Sequence, residues 1–400
     1  MQLKRDKYLQ RIRPFIAKDI IKVIVGQRRV GKSCFLRQVR DEIVAQNPAM
    51  NTIFINKELY EFDSIKDYHD LIAFVQKNER ADERNTLFID EIQDISNFEK
   101  ALRHFQAKGN YDIYVSGSNA RLLSGELATF LSGRYIEIPM FSLSFSEFIE
   151  FHQLESTKAS LQRYIKFGGL PYLINLELDE IVVYDYLKSI YSSILLKDIV
   201  SRHHLRNVNF LENLVKYLAG NTGNLFSAKK ISDYLKSQQL TISPSVVLNY
   251  LGFLRDAFFT HNVKRQDIIG KRLFEIGEKV YFQDIGLKHA IVPYRPDMIG
   301  GVMENLVHNH LKYLRYSVYV GFLSGKEIDF IAVRGDEKIY IQVAYLLADE
   351  AIIRREFGNL LAIKDNYRKM VVSADEWSGG SFEGIEHFSI LEFLNDKIFN

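Results

Sequence analysis

The chain reads as an α/β protein built on a parallel, three-layer sheet, and three observations carry that reading. The stretch Gly26-Gln27-Arg28-Arg29-Val30-Gly31-Lys32-Ser33 fits G-x-x-x-x-G-K-[ST], the pattern of a phosphate-binding loop. The loop sits between an apolar run, Ile20–Val25, that reads as a buried strand and a helical run that begins at Lys32. Further on, Thr86-Leu87-Phe88-Ile89-Asp90-Glu91 is an apolar strand that ends in two carboxylates, an arrangement that is costly to desolvate unless a cation meets it.

The elements follow in order. Strands are expected at Ile20–Val25, Thr52–Asn56, Thr86–Asp90, Asp112–Ser116 and Tyr135–Pro139, and helices at Lys32–Ala45, Lys66–Lys77, Phe98–Lys108 and Leu122–Leu131. Strands alternating with helices imply a parallel sheet covered on both faces, with the loop after its first strand. In such a loop Gly26 and Gly31 let the backbone wrap a polyphosphate, so that the N–H groups of residues 26–34, from Gly26 to Cys34, point inward. The helix that follows aims its positive end at the same charge. Lys32 reaches the β/γ oxygens and Ser33 Oγ ligates Mg²⁺. Asp90 then holds the Mg²⁺ shell, and Glu91 orients and deprotonates the attacking water. The spacing of 58 residues from Lys32 to Asp90 leaves room for one intervening strand–helix unit. ATP and Mg²⁺ are the expected ligands. Arg28 and Arg29 either add charge to the nucleotide or contact the helical lid expected after the sheet.

Past the sheet the pattern changes. Residues 146–206 turn helical, with apolar positions recurring in Phe145–Phe151 and Tyr184–Val200 around Gly168-Gly169-Leu170-Pro171. They read as a helical lid. Residues 207–297 read as a winged-helix-like domain: helices at Asn209–Leu218 and Ser227–Leu235, a third from Ser245 to Phe258, and extended strands from Phe258 to Phe282 in the place of a wing. Ser243 suits the N-cap of the third helix and Pro244 its first position. A further α/β region fills 298–400, with a helix at Val302–Tyr313 and strands at Ser317–Gly321, Glu327–Arg334 and Lys338–Val343.

Composition narrows the function classes. The net charge is +2 and the apolar fraction 47% over 400 residues, enough for two or three packed cores. From Ser201 to Arg272 there are 11 Lys/Arg against four Asp/Glu, a local excess that suits double-stranded DNA or another anionic partner. The single cysteine, Cys34, rules out an intrachain disulfide and is expected as a packed core thiol. No apolar run approaches the length of a membrane span, so a soluble, cytoplasmic protein is expected. His203-His204 and His308-Asn309-His310 lack the helical spacing and nearby cysteines of a zinc site.

Taken together, these residues resemble the AAA+-type P-loop ATPases of bacteria and archaea that carry a C-terminal PD-(D/E)XK-nuclease-like domain of unknown function. Besides the phosphate loop, the carriers are Phe88–Gln93, Ser116–Ala120, Leu123–Ala128, Leu131–Tyr135, Ser144–Phe148, Gly168–Pro171 and Leu195–Val200. The resemblance implies an ATPase domain over 1–145 and a restriction-endonuclease-like fold over 298–400. It makes Ser118 or Asn119 the polar sensor of the γ-phosphate and Arg134 an arginine finger that arrives from a neighbouring subunit of a homo-oligomer. Pro171 becomes the lid proline that packs on adenine. In the nuclease-like region Glu304 and Asp329 match the two acids, but the third element reads Gln342-Val343-Ala344. Alanine cannot replace the lysine that positions the nucleophilic water, which argues for a retained fold without cleavage. The expectation is an ATP-driven switch that binds DNA. The alternatives are an ATP-regulated nuclease and an ATPase that binds a protein partner and no DNA.

Overall fold

The continuous apolar runs of the N-terminal third form a five-stranded, all-parallel sheet in the computed structural model, which describes residues 3–120, 133–239, 241–270, 273–375, 380–395 and 398–399. The elements are α1 (Asp6–Ile12), β1 (Ile21–Val25), α2 (Lys32–Gln46), β2 (Asn51–Asn56), α3 (Tyr68–Asn78), β3 (Asn85–Asp90), α4 (Phe98–Lys108), β4 (Tyr111–Gly117) and β5 (Tyr135–Pro139). Their order across the sheet is β2-β3-β4-β1-β5. The chain leaves β1 toward one side and returns to its other side with β5, so β1 lies at a topological switch point, where such sheets open a crevice at their carboxyl edge. The expected helix Leu122–Leu131 lies outside the described residues.

Alternation along the strands fills two layers. Val23, Val25, Ile53, Ile55, Leu87, Ile89, Ile113 and Val115 share one core with Leu71 and Val75 of α3 and Leu102 and Phe105 of α4. Each side chain of this size stabilises the fold by about 1.5–3 kcal/mol on full burial. α3 is started by a capping box in which Asp67 accepts from the Asp70 N–H and Asp70 returns the bond to Asp67.

One buried charge interrupts the apolar run. Lys22, the second residue of β1, is fully buried; its Nζ donates to Asp112 Oδ1 on β4 and, at 3.0 Å, to the Lys18 carbonyl. Asp112 also accepts from Tyr114 Oη and the Ala17 N–H, each at 2.9 Å. Burial lowers the Lys22 pKa, against the opposing pull of Asp112.

Chain contacts separate this unit, Met1–Phe141 with Asp256–Phe258, from a second one, Ser142–Arg255 with Phe259–Asn400. The second unit opens with helices α5 (Phe145–Phe151), α6 (Lys158–Phe167) and α7 (Glu180–Ser193), the last continuing as a π-helical turn, Ile194–Ser201. Gly168 and Gly169 follow α6 for a packing reason. Gly168 has φ +76° and a Cβ there would stand 2.4 Å from Asp284 Oδ1, and the Gly169 N–H donates to Asp284 Oδ2 at 2.9 Å. Helices α8 (Val208–Gly220), α9 (Ala228–Ser237) and α10 (Pro244–Asp256) come next. Ser227 caps α9, Pro244 opens α10, and Val247, Tyr250, Leu251 and Leu254 form the buried face of α10.

The rest of this unit is an eight-stranded mixed sheet. It contains β6 (Thr260–Asp267), β7 (Leu273–Phe282), α11 (Ile285–Ile291), α12 (Ile299–Tyr313), β8 (Ser317–Leu323), β9 (Lys326–Arg334), β10 (Glu337–Ala344), α13 (Glu350–Leu361), β11 (Arg368–Ser373), β12 (Ser381–Phe382), β13 (Ile385–Ser389) and α14 (Ile390–Leu394), with strand order β12-β13-β11-β10-β9-β8-β6-β7. The two strands taken for a wing belong to the C-terminal sheet: β6 pairs with β7 and, through Arg265–Asp267, in parallel with Val320–Phe322 of β8. Val263, Val280, Tyr281 and Phe282 are buried there, so these strands extend a hydrophobic layer across the expected boundary at 297/298.

Removing one partner of the buried pair in β1 leaves an uncompensated charge. Asp112→Ala should lower unfolding free energy by about 3–5 kcal/mol, whereas Lys22→Met with Asp112→Leu should cost much less. Urea unfolding of the two proteins checks the difference; equal losses would contradict it.

Candidate nucleotide-binding site

At the carboxyl edge of the five-stranded sheet, the loop after β1 takes the one backbone path that its sequence permits. Gly26 has φ +154°, and a Cβ on it would stand 2.3 Å from the Met140 carbonyl oxygen, just past β5. Arg29 at φ +71° and Gly31 at φ +97° are left-handed, and this alternation gathers N–H groups on the concave side. The loop delivers the chain to the first turn of α2, whose N–H groups and dipole favour an anion. Arg5, nearly buried, fastens the outside of the loop. Its guanidinium donates to the Val30 carbonyl at 3.3 Å and to the Phe141 carbonyl at 3.2 Å.

Four side chains meet at this edge. Lys32 Nζ donates to the carbonyls of Gly26 (3.0 Å) and Gln27 (3.1 Å) and lies 3.8 Å from Glu91 Oε1. Asp90, the last residue of β3, is fully buried; its Oδ1 accepts from Ser116 Oγ on β4, and its Oδ2 has no hydrogen-bond partner among the described residues. Burial raises the Asp90 pKa, against the hydroxyls of Ser116 and Ser33 and the charge of Lys32. Glu91 turns out of the strand at φ +55°, and its N–H donates to Ser116 Oγ at 3.2 Å. Burial alone would raise the Glu91 pKa; Lys32 first, then Gln93, Arg28 and Ser118, outweigh it and hold the carboxyl below its ordinary value.

The remaining expected residues divide. Val30 and Gln27 are fully buried in the loop wall. Arg28 is nearly buried, with its Nη1 3.8 Å from Glu58 Oε1, while Arg29 points to solvent. Ser118 and Asn119 are buried just past the end of β4. Cys34 is exposed and not the core thiol expected; the helical turn directs Phe35, Leu36 and Val39 inward instead. Arg134 is exposed at the start of β5, beside Ile21 at the start of β1, with its carbonyl accepting from the Ile21 N–H at 3.0 Å. The loop leaves the other end of β1, so the five residues of that strand separate Arg134 from it by about 15 Å. This chain therefore does not bring its own Arg134 to its own loop. Pro171 opens a 3₁₀ turn, Pro171–Asn175, in the second unit.

Buried carboxylate, serine hydroxyl and a cradle that only glycine fits match Mg²⁺ and a polyphosphate. Sequence reasoning missed three supports. Ser116 and Gln93 stand inside motifs that drew attention to their neighbours, and Arg5 has no sequence signal at all.

The nuclease-like acids also converge, within the second unit. Glu304 on α12 and Asp329 on β9 face Lys279 of β7, whose Nζ is 2.8 Å from Glu304, 2.8 Å from Glu327 and 3.1 Å from Asp329. Tyr281 Oη donates to Glu304 at 2.7 Å, and the Val343 N–H donates to Asp329 at 2.9 Å. Burial opposes the Lys279 charge, but Asp329, Glu304 and Glu327 hold its pKa above the ordinary value. A lysine thus does stand at these acids, on a strand that linear spacing did not connect with them. Among the described residues no group of three His, Cys, Asp or Glu has the geometry to hold a metal ion. His203 stacks on Phe253 and His308 on Tyr281. No helix among the described residues is long and apolar enough to cross a membrane.

Comparisons with known proteins agree with this geometry. Residues 18–149 match the AAA domain model and residues 158–297 a domain of unknown function, DUF8612. A Haemophilus influenzae protein described as uncharacterized is 36% identical over 398 residues, covering 98% of both chains. One from Methanocaldococcus jannaschii, described likewise, is 31% identical over 365 residues, 86% of this chain and 79% of that one. Among solved structures, a Walker-type ATPase of Pyrococcus abyssi superposes with a TM-score of 0.51 at 16% identity, over 72% of this chain and 95% of its own. The chain therefore belongs to the family of the Haemophilus and Methanocaldococcus proteins, and its residues 18–149 are an AAA domain of the P-loop ATPase fold.

Proposed function

We propose that the protein is a Mg²⁺-dependent ATPase that works as a nucleotide-driven switch and binds double-stranded DNA through its second unit. The observation that carries this reading is the convergence of Lys32, Ser33, Asp90 and Glu91 around a loop whose first residue has to be glycine. Lys32 and the loop N–H groups hold the β- and γ-phosphates. Ser33 and Asp90 hold the Mg²⁺ shell, which supplies charge neutralisation when bound. Glu91, kept ionised at neutral pH by Lys32 and Gln93, takes the proton of the attacking water. Ser118 and Asn119 sense the γ-phosphate, and the Arg134 of a neighbouring copy stabilises the transition-state charge.

Exposed Lys216, Lys229, Lys230 and Lys236 on α8 and α9 support the DNA reading, since a face of this charge gains affinity by releasing counterions from the duplex. For the nuclease-like acids, the Lys279 ammonium already stands where a cation would neutralise Glu304 and Asp329. That supports a fold kept for binding rather than cleavage.

Lys32→Ala should abolish binding of a fluorescent ATP analogue, and Glu91→Gln should leave binding intact while lowering turnover by about 10²–10⁴-fold. Turnover near the wild-type level in Glu91→Gln would remove Glu91 from the role of base. If Arg134 acts on a neighbour, Arg134→Ala and Glu91→Gln, each defective alone, should recover part of the lost turnover when mixed; no recovery would contradict action between chains. Steady-state hydrolysis with and without double-stranded DNA at low salt tests the switch as a whole. Stimulation that disappears when Lys216, Lys229 and Lys230 are replaced by Glu supports it, and hydrolysis indifferent to DNA would favour a protein partner.

A further inference from the structure

Gln93 is a polar side chain at the site that helps keep Glu91 ionised but has so far been given no part in placing it. It stands on the 3₁₀ turn Ile92–Asp94 that follows β3. The turn is rigid: Ile92 and Ile95 on either side are 1% exposed in the sheet core, the Asp94 N–H donates to the Glu91 carbonyl at 3.1 Å, and the Ile95 N–H donates to the Ile92 carbonyl at 3.0 Å. Because Glu91 is left-handed, the chain doubles back and Gln93 Nε2 donates to Glu91 Oε2.

The two carboxylate oxygens of Glu91 therefore face different donors. Lys32 approaches Oε1 at 3.8 Å and is shared with the carbonyls of Gly26 and Gln27. A bound polyphosphate competes for that same ammonium, so Lys32 cannot fix the carboxylate through the reaction. Gln93 is neutral and anchored by the turn, and it has no phosphate to answer to. Its own Oε1 is buried with no hydrogen-bond partner among the described residues, so none of these holds the amide in a way that would draw it away from Glu91.

We propose that Gln93 is the positioning residue for Glu91: it holds Oε2 so that Oε1 faces the water that attacks the γ-phosphate. This rests on the reading of Glu91 as the base. Loss of the hold frees the glutamate torsions, and displacement of a reacting group by about 1 Å costs up to ~10²-fold in rate.

The test is a double-mutant cycle in single-turnover ATP hydrolysis, using Gln93→Met, which keeps the length of the side chain and removes the donor. In the wild-type background Gln93→Met should lower the rate about 10- to 100-fold, with the dissociation constant for ATP changed less than twofold. In the Glu91→Gln background it should lower the rate no further. Equal losses in both backgrounds, or weakened ATP binding, would show a merely structural role and overturn the proposal. Full activity of Gln93→Met beside an inactive Glu91→Gln would overturn it while sparing the base reading. An active Glu91→Gln would overturn both. Gln93→Asn, whose shorter amide falls short of Glu91, should behave as Gln93→Met does, which guards against an effect peculiar to the thioether.

Discussion

Two carboxylates buried at the end of one apolar strand have to be compensated, and the organisation of the N-terminal unit follows from how that is done. Asp90 and Glu91 are both nearly inaccessible, and isolated burial of either charge would cost several kcal/mol. Lys32 reaches across from the first turn of α2, Ser116 donates to Asp90 from the neighbouring strand, and Gln93 donates to Glu91 from the turn that follows. These partners come from three different segments. They meet because β3, β4 and β1 are adjacent in a parallel sheet and all end at the same edge. The loop after β1 can approach that edge only because Gly26 carries no side chain against Met140.

The same constraint recurs in the second unit with a different answer. Glu304, Glu327 and Asp329 come together at the C-terminal sheet, and there the compensating charge is Lys279, itself 2% exposed. In the first unit the cation near the acids is shared with the backbone carbonyls of an anion-binding loop. In the second it is committed to three carboxylates. A shared cation can be drawn to a ligand, whereas a saturated one holds structure. That contrast is the physical basis for proposing phosphate chemistry at one edge and a structural role for the charges at the other.

Much of this was legible in the sequence, for identifiable reasons. A buried parallel strand is a continuous apolar run, so β1 and β3 stand out within a residue or so of their ends. The loop and the paired acids are local patterns, and their chemistry can be read from residue type. What was not legible depends on contacts between distant segments. Lys279 joins acids 25 to 50 residues away, and nothing in its own surroundings announces this. The strands around it alternate well enough to pass for a wing; only their pairing with β8 shows otherwise. Cys34 was misread because the helical spacing turns it outward while Lys32, Phe35 and Leu36 on either side of it face inward. Arg134 matched a motif, but its place at the far end of β5 follows from strand direction, which the motif does not carry.

The central claim is that the edge formed by the loop, Lys32, Asp90 and Glu91 is the place where Mg²⁺ and ATP bind. Amide hydrogen exchange across residues 26–34 and 88–95, with and without Mg²⁺ and a slowly hydrolysed ATP analogue, tests it most directly. The account predicts strong protection of the loop amides on addition of nucleotide, with accompanying protection of the turn that carries Gln93, and no such change in Lys32→Ala. Unchanged exchange in both segments at saturating nucleotide, or protection confined to the second unit, would contradict it.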